Sequence, residues 1–488
     1  MTSAEPRSRV AIVGGGIAGL AAAFFLHDQD VEVTVLEGSP RIGGKLRVSE
    51  VAGIAVDAGA EALLARRPEG VDLIRAVGLA DRLVYPGTTS ASIWTRGQFC
   101  SLPRRQFMGV PADFGELERS AIVSRAGLHR ARQDAALPAT ARDGDVAVGE
   151  YVGARFGAEV VDRLVEPLLG GVYAGRADQL SFEATLPALA RASRGHQSLA
   201  EAAASLLAPP ASQGTTGGQG QPASAAGASP PPVFTTLTAG LGALPEPLAR
   251  ASGAVVRTRA TVRELARSAD SWRLTVGPTA APERLDADAV ILALPARPAS
   301  RLIRPVAGAA NAAAALAEIE YASMAIITLA YPVAAFPAPL AGSGYLVPAV
   351  DGRPVKAATF SSVKWPHLAG GLHVIRLSVG RIGEEAILQR DDAELAALAA
   401  ADFAAATGVT GSAVDTRVTR WGGGLPQYAV GHLDLVSRIR ACVAGQPGLA
   451  VCGAAFDGIG IPACIASGRL AADQVVAYLE SRAPRPAR

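Results

Sequence analysis

The chain opens on a short polar stretch and then a β-branched apolar run, Val10 to Val13. A run of that kind predicts a buried strand. It passes through Gly14, Gly16 and Gly19 into an Ala/Leu/Phe-rich segment that predicts a helix. A second strand follows over Val31 to Leu36 and ends in Glu37. A strand pair is expected at Leu46 to Val51 and Ile54 to Asp57, before a small-residue turn, Ala58-Gly59-Ala60-Glu61. Pro68 to Val77 reads as a helix with proline in its first turn and Gly78 at its end. Ala91 to Trp94 and Gln98 to Leu102 flank Thr95-Arg96-Gly97, a hairpin signal. From Asp113 to Leu207 apolar residues recur at three- and four-residue spacing, as over Val148 to Phe156 and Glu159 to Leu169, which predicts helices. Gly170-Gly171-Val172-Tyr173-Ala174-Gly175 reads as a glycine-rich turn interrupting them.

Residues 208–232 hold no charged side chain and too little apolar surface to order themselves, so a flexible surface loop is expected there. Strands follow at Val233 to Leu237, Ala254 to Thr258, Thr261 to Leu265 and Trp272 to Val276. After a charged turn comes a fully apolar strand from Ala289, of the kind buried in a parallel sheet. The chain thus returns to the nucleotide-binding unit of its N-terminus. Residues 300–415 read as a second mixed α/β block, with strands at Met324 to Ala330, Lys356 to Phe360 and His373 to Val379 and a helix over Asp391 to Ala406. A strand at Leu449 to Cys452 then leads through Gly458-Ile459-Gly460-Ile461-Pro462 into an apolar helix, Ala463 to Leu479.

At 488 residues the chain exceeds one compact core. A net charge of +2 argues against nucleic acid as a partner. The four cysteines, Cys100, Cys442, Cys452 and Cys464, form neither a C-x-x-C nor a metal-binding spacing, so no metal is expected and the thiols read as reduced, in a cytoplasmic protein. The apolar stretch from Met324 to Gly342 is interrupted by Pro332, Pro337 and Pro339, which predicts a strand and a loop rather than a transmembrane segment. Peripheral membrane contact stays open. Arg125, His129, Arg130 and Arg132 make a basic face, read as solvated, with contact to an anionic substrate or membrane as the alternative.

The candidate chemistry lies at the two glycine-rich turns. Gly14, Gly16 and Gly19 stand in G-x-G-x-x-G order between a strand and a helix. There they allow a tight turn, close approach of a pyrophosphate and close helix–strand packing. The helix N-terminus offers unpaired N–H groups to phosphates, and Glu37 is placed to accept from ribose hydroxyls. Five residues beyond Glu37 stands Gly43-Gly44, with Arg41 just ahead. Glu-x5-Gly-Gly resembles the extended fingerprint of FAD proteins of the glutathione-reductase and amine-oxidase type. The alternative is a Rossmann-like domain that has lost its nucleotide. The second turn, Gly458 to Ile461, feeds a helix N-terminus and suits the pyrimidine end of a flavin, or simply caps a core helix.

The fingerprint, the GGVYAG segment, FTTLTAGLGALPEPL from Phe234, LPQYAVGH and GIGIPACIASG occur in one order from Val10 to Leu479. Together they resemble the oxygen-dependent porphyrinogen oxidases of the amine-oxidase superfamily. The run VDAGAEALLARRPEGVDLI is most similar to the coproporphyrinogen III oxidases of coproporphyrin-dependent haem synthesis, and protoporphyrinogen oxidases share the motifs. The resemblance implies an α/β fold: a discontinuous Rossmann-like FAD-binding domain (1–90, 233–299 and 419–488), a mixed α/β substrate domain (91–112 and 300–418) and a helical domain (113–207). Carried over by motif, contacts to non-covalent FAD fall at Gly14, Gly15, Gly16, Ile17, Ala18, Gly19, Glu37, Gly38, Gly44 and Lys45. Further contacts fall at Gly59, Ala60, Glu61, Val262, Trp421, Ile459, Gly460 and Ile461. Gly59-Ala60-Glu61 departs from the Gly-Pro-polar turn of many relatives, which leaves the role of Glu61 open.

The implied reaction oxidises a porphyrinogen with dioxygen and releases hydrogen peroxide. The flavin abstracts hydride, and no protein base is named. A ferrochelatase is the implied partner for product transfer. Arginines suit the substrate's propionates, and Arg66, Arg67 and Arg176 are the candidates nearest the motifs. The rivals are a flavin amine oxidase, a carotenoid desaturase and a non-catalytic Rossmann binding protein. Only 5% of residues are aromatic, too few to favour the aromatic cage of an amine oxidase.

Overall fold

The computed structural model describes residues 7–140, 144–207 and 233–482, so the loop expected at 208–232 lies outside the described residues. The strand Ser8–Val13 pairs in parallel with Val31–Leu36 on one side and Ala289–Leu292 on the other. Val255–Arg257 adds outside Val31–Leu36, and Leu449–Val451 outside Ala289–Leu292. The result is a five-stranded parallel sheet drawn from three distant parts of the chain. Val10 to Val13 and Ala289–Leu292 at its centre are unbroken apolar runs because both faces are covered there. Val10 and Ile12 face the helices Ile17–Phe25 and Ile461–Arg482. Ala11 and Val13 face Ala296–Ile303, Ala310–Glu318 and His432–Ala444.

A second, seven-stranded mixed sheet runs in the order Asp415–Pro426, Tyr321–Pro332, Leu372–Val379, Val355–Phe360, Gly344–Leu346, Ser92–Thr95, Gln98–Ser101. Helices between Phe114 and Leu207 enclose a separate core around Phe156, Leu164 and Phe182. Among the described residues no helix is long and apolar enough to cross a membrane.

Three expectations need correction. The charged turn after Val276 contains a strand, Glu283–Ala287, antiparallel to Trp272–Val276. Its Glu, Arg and Asp side chains are partly or fully exposed, which hides the alternation. The glycine-rich segment at 170–175 does not interrupt the helices. The helix Glu166–Tyr173 runs through Gly170 and Gly171 and stops only at Ala174, which is left-handed at φ 49°. Burial of Leu169, Gly170 and Tyr173 outweighs the helix cost of glycine, about 1 kcal/mol each. Finally, the boundaries expected at 299/300 and 418/419 cut the helix Ala296–Ile303 and the strand Asp415–Pro426, both of which are continuous.

Candidate active site

The first turn is as tight as backbone permits. Gly14 has φ +112°, and a Cβ there would lie 2.4 Å from the Ala293 carbonyl oxygen. A Cβ on Gly19 would lie 2.0 Å from the Gly14 carbonyl oxygen. By contrast, the Cβ position of Gly16 meets no heavy atom within 4 Å. Gly16 caps the helix Ile17–Phe25, whose first N–H groups have no partner within the helix. Glu37 at the end of its strand accepts from the Gly15 N–H at 2.8 Å and the Ser39 N–H at 2.7 Å. The second glycine pair closes beside the first turn, with the Gly43 N–H donating to the Gly15 carbonyl at 2.7 Å. Arg41 holds that loop by donating to the Gly44 carbonyl at 2.8 Å.

These elements wall one end of a cavity of about 600 Å³. Lys45 lines it and has no carboxylate within ion-pairing range among the described residues, and burial lowers its ammonium pKa. From there the cavity passes Gly59 and Ala60 and reaches the inner face of the seven-stranded sheet. That face contributes alternate residues from three strands: Met324 and Ile326, Ala357 and Thr359, Arg376 and Ser378. Side chains two apart on a strand share a face. Trp421 lies between the two ends and donates from its indole to the Ala58 carbonyl at 2.8 Å, and Val172 closes the cavity from a helix.

The C-terminal loop is braced from below. The buried Tyr428 hydroxyl donates to the Ala454 carbonyl at 2.7 Å and accepts from the Gly458 N–H at 2.8 Å. His432 stacks on the Tyr428 ring at 3.9 Å, and burial pushes its pKa down to about 4, so it packs as a neutral ring. Removing the hydroxyl takes the partner from two part-buried backbone groups, at about 1–3 kcal/mol. Tyr428→Phe is therefore expected to lower the thermal midpoint and to weaken cofactor affinity roughly tenfold. Thermal shift with and without added cofactor checks this, and unchanged affinity would show that the loop holds without the brace.

Of the residues singled out in the sequence, Gly14, Gly16, Ile17, Ala18, Glu37, Gly44, Lys45, Gly59, Ala60, Trp421, Ile459 and Ile461 line the cavity. Gly15, Gly19, Gly38 and Gly460 do not line it. Nor does Val262. It lies two residues past Ala260, whose N–H donates to the Glu37 carbonyl at 2.8 Å. Glu61 also turns away. It accepts from the Ser361 hydroxyl at 2.6 Å and from Lys364 at 3.0 Å, and lies 3.3 Å from Arg376. Burial opposes its ionisation, yet Lys364 and Arg376 more than offset that and hold the carboxyl down at about 2. These contacts tie the Gly59–Glu61 turn to the second sheet.

Arg66, Arg67 and Arg176 are exposed and off the cavity wall. Arg67 pairs with Glu69 at 2.5 Å and Arg176 with Asp178 at 2.8 Å, so neighbours in sequence already satisfy both. Arg376 was missed, although an arginine between the apolar residues Val374-Ile375 and Leu377 of a strand was a signal in itself.

An open glycine turn at a helix N-terminus, a strand-end carboxylate and an unpaired lysine fit a dinucleotide, and the sheet-facing end leaves room for a ring and its substrate. Comparison with known proteins agrees. Residues 17–476 match the family of flavin containing amine oxidoreductases. The chain belongs to this family. Within it, the chain is 38% identical to the coproporphyrinogen III oxidase of Mycobacterium tuberculosis, over 98% of this chain and 100% of that one. It is 30% identical to the coproporphyrinogen III oxidase of Bacillus subtilis, again over 98% and 100%. A crystal structure from Exiguobacterium sp., described as a protoporphyrinogen oxidase, superposes with a TM-score of 0.82 at 29% identity, covering 97% of this chain and 99% of that one. The cavity of this flavin oxidoreductase is thus its candidate active site.

Proposed function

We propose that the chain oxidises coproporphyrinogen III to coproporphyrin III in haem biosynthesis, with non-covalent FAD as its flavin and dioxygen as acceptor. One observation carries the reading: a single cavity joins a dinucleotide turn to an apolar sheet face, in a chain similar to coproporphyrinogen III oxidases along its whole length. When bound, a flavin supplies hydride acceptance from a saturated carbon bridge and reoxidation by dioxygen to hydrogen peroxide. The protein's own residues position the reactants. The N–H groups at Gly16 to Ala18 would hold a bound diphosphate, Glu37 would accept from the ribose, and Lys45 would offer a cation to the cofactor's anionic groups. The faces of Met324, Ile326 and Ala357 exclude water from the ring of the substrate. Six electrons and six protons leave the macrocycle in three turnovers, each yielding one hydrogen peroxide. Cys464 lines the cavity, but burial raises its thiol pKa to about 11, which leaves it a poor nucleophile and supports non-covalent binding. Its four free cysteines suit a cytoplasmic setting.

The TM-score of 0.82 to the Exiguobacterium protein keeps protoporphyrinogen IX as a second reading. Aerobic incubation with each porphyrinogen, followed by porphyrin fluorescence and peroxide, decides between them. Faster flavin-dependent oxidation of coproporphyrinogen III is expected. A preference for protoporphyrinogen IX would select the second reading, and turnover of neither by a flavin-loaded protein would remove both.

A further inference from the structure

The wall that faces the substrate in this reading is a sheet face of small and apolar side chains with one charge on it. Among the described residues lining the cavity the charged ones are Glu37, Lys45 and Arg376, and the first two stand at the nucleotide end. Arg376 sits on the strand Leu372–Val379, shares its face with Ser378, and is 8% exposed. A cation buried in a strand is costly unless it is partnered. Its partners are few. One terminal nitrogen donates to the Gly59 carbonyl at 2.7 Å, and the other lies 3.3 Å from Glu61. Glu61 is shared with Lys364, so two cations divide one carboxylate. Asp57, on the small polar chamber behind, uses its oxygens on the N–H groups of Leu241 at 2.9 Å and Gly242 at 3.0 Å. Among the described residues the Arg376 Nε is buried without a partner.

A guanidinium carries five N–H donors. Two contacts fix its plane, and donors remain for a ligand in the cavity that it lines. We infer that Arg376 reads a carboxylate of the substrate and sets its specificity. This rests on the porphyrinogen reading, and it replaces the surface arginines as the propionate contact. A planar fork matches a carboxylate's two oxygens, whereas an amine or a hydrocarbon would leave this buried cation unmatched. Because Arg376 also holds the Gly59 carbonyl, a bound carboxylate and the Gly59–Glu61 turn would share one anchor.

The test compares coproporphyrinogen III with its uncharged tetramethyl ester in the flavin-loaded enzyme and in Arg376→Met. The wild type is expected to favour the acid. The variant should raise KM for the acid about ten- to hundredfold, keep kcat closer to wild type, and leave the ester's KM largely unchanged. Visible absorbance confirms that flavin is retained. An acid-to-ester KM ratio equal to that of the wild type would overturn the inference. If the methionine variant does not fold or loses flavin, Arg376→Lys keeps the charge and loses the fork. Its ratio should fall between the two, and an unchanged ratio again overturns the inference. A wild type inactive on the acid would instead remove the porphyrinogen reading.

Discussion

Gly19→Val is expected to give a protein purified without its flavin. The new Cβ would lie 2.0 Å from the Gly14 carbonyl oxygen and 3.0 Å from the Ala293 Cβ, and the first of these is backbone that no rotamer change can move. The helix Ile17–Phe25 must therefore slide away from the strand Ser8–Val13. Overpacking of this kind costs about 1–3 kcal/mol in stability. The larger effect is on binding. The N–H groups at the helix start move with the helix, and a displacement on the order of 1 Å removes the geometry that charge-assisted hydrogen bonds require. Flavin affinity should fall by at least about a hundredfold, or ~2.7 kcal/mol. The yellow absorbance per mole of protein reads this directly. Gly16→Ala separates strain from binding: its Cβ meets no protein atom and leaves the fold unstrained, but it fills room that a pyrophosphate would need, so it should lose flavin without losing stability. A Gly19→Val protein with full flavin occupancy would place the cofactor somewhere other than this turn.

The second large effect concerns stability. Arg155 and Asp134 form a buried ion pair at 2.5 Å, with side chains 2% and 0% exposed. The guanidinium also donates to the carbonyls of Pro138 at 2.6 Å, Asp134 at 2.6 Å and Gln197 at 2.7 Å. The other carboxylate oxygen accepts from the Ser198 hydroxyl at 2.6 Å and the Ala200 N–H at 3.0 Å. One pair thus ties the start, middle and end of the helical segment together. Arg155→Met leaves a buried carboxylate without its cation and is expected to cost about 3–5 kcal/mol. Calorimetry should show a transition well below that of the parent. Adding Asp134→Leu to Arg155→Met should recover part of the loss, since two apolar groups pack better than one unpaired charge. A single variant that melts with the wild type would show that solvent reaches the carboxylate.

The parallel sheet was legible because its central strands are buried on both faces and read as unbroken apolar runs, as at Val10 to Val13 and Ala289 to Leu292. Glu283–Ala287 was not, because an antiparallel strand with a solvated face carries charges that also suit a turn. The helix through Gly170 and Gly171 was hidden for the opposite reason, since local propensity argued against what tertiary packing decides. At the site, the residues of the glycine turns were found because their spacing within one strand–turn–helix unit carries the geometry. The substrate wall comes from three strands, Tyr321–Pro332, Val355–Phe360 and Leu372–Val379, that pair out of sequence order, so which arginine faces the cavity depends on pairing that no local spacing records. Proximity to a motif therefore favoured Arg66, Arg67 and Arg176, while Arg376 stood unmarked. Glu61 was visible as a departure, but its partners Ser361 and Lys364 lie about three hundred positions away.

The parallel sheet closes only when Leu449–Val451 joins it, and the helix Ile461–Arg482 then covers the helix Ile17–Phe25. On the ribosome, the nucleotide turn emerges roughly four hundred residues before that strand, a wait on the order of 20–80 s at typical synthesis rates. Until then one edge of Ala289–Leu292 and the apolar back of the first helix stay uncovered. The nucleotide-binding unit is therefore completed only by the last elements of the chain to be made, and its first helix carries uncovered apolar surface until they arrive.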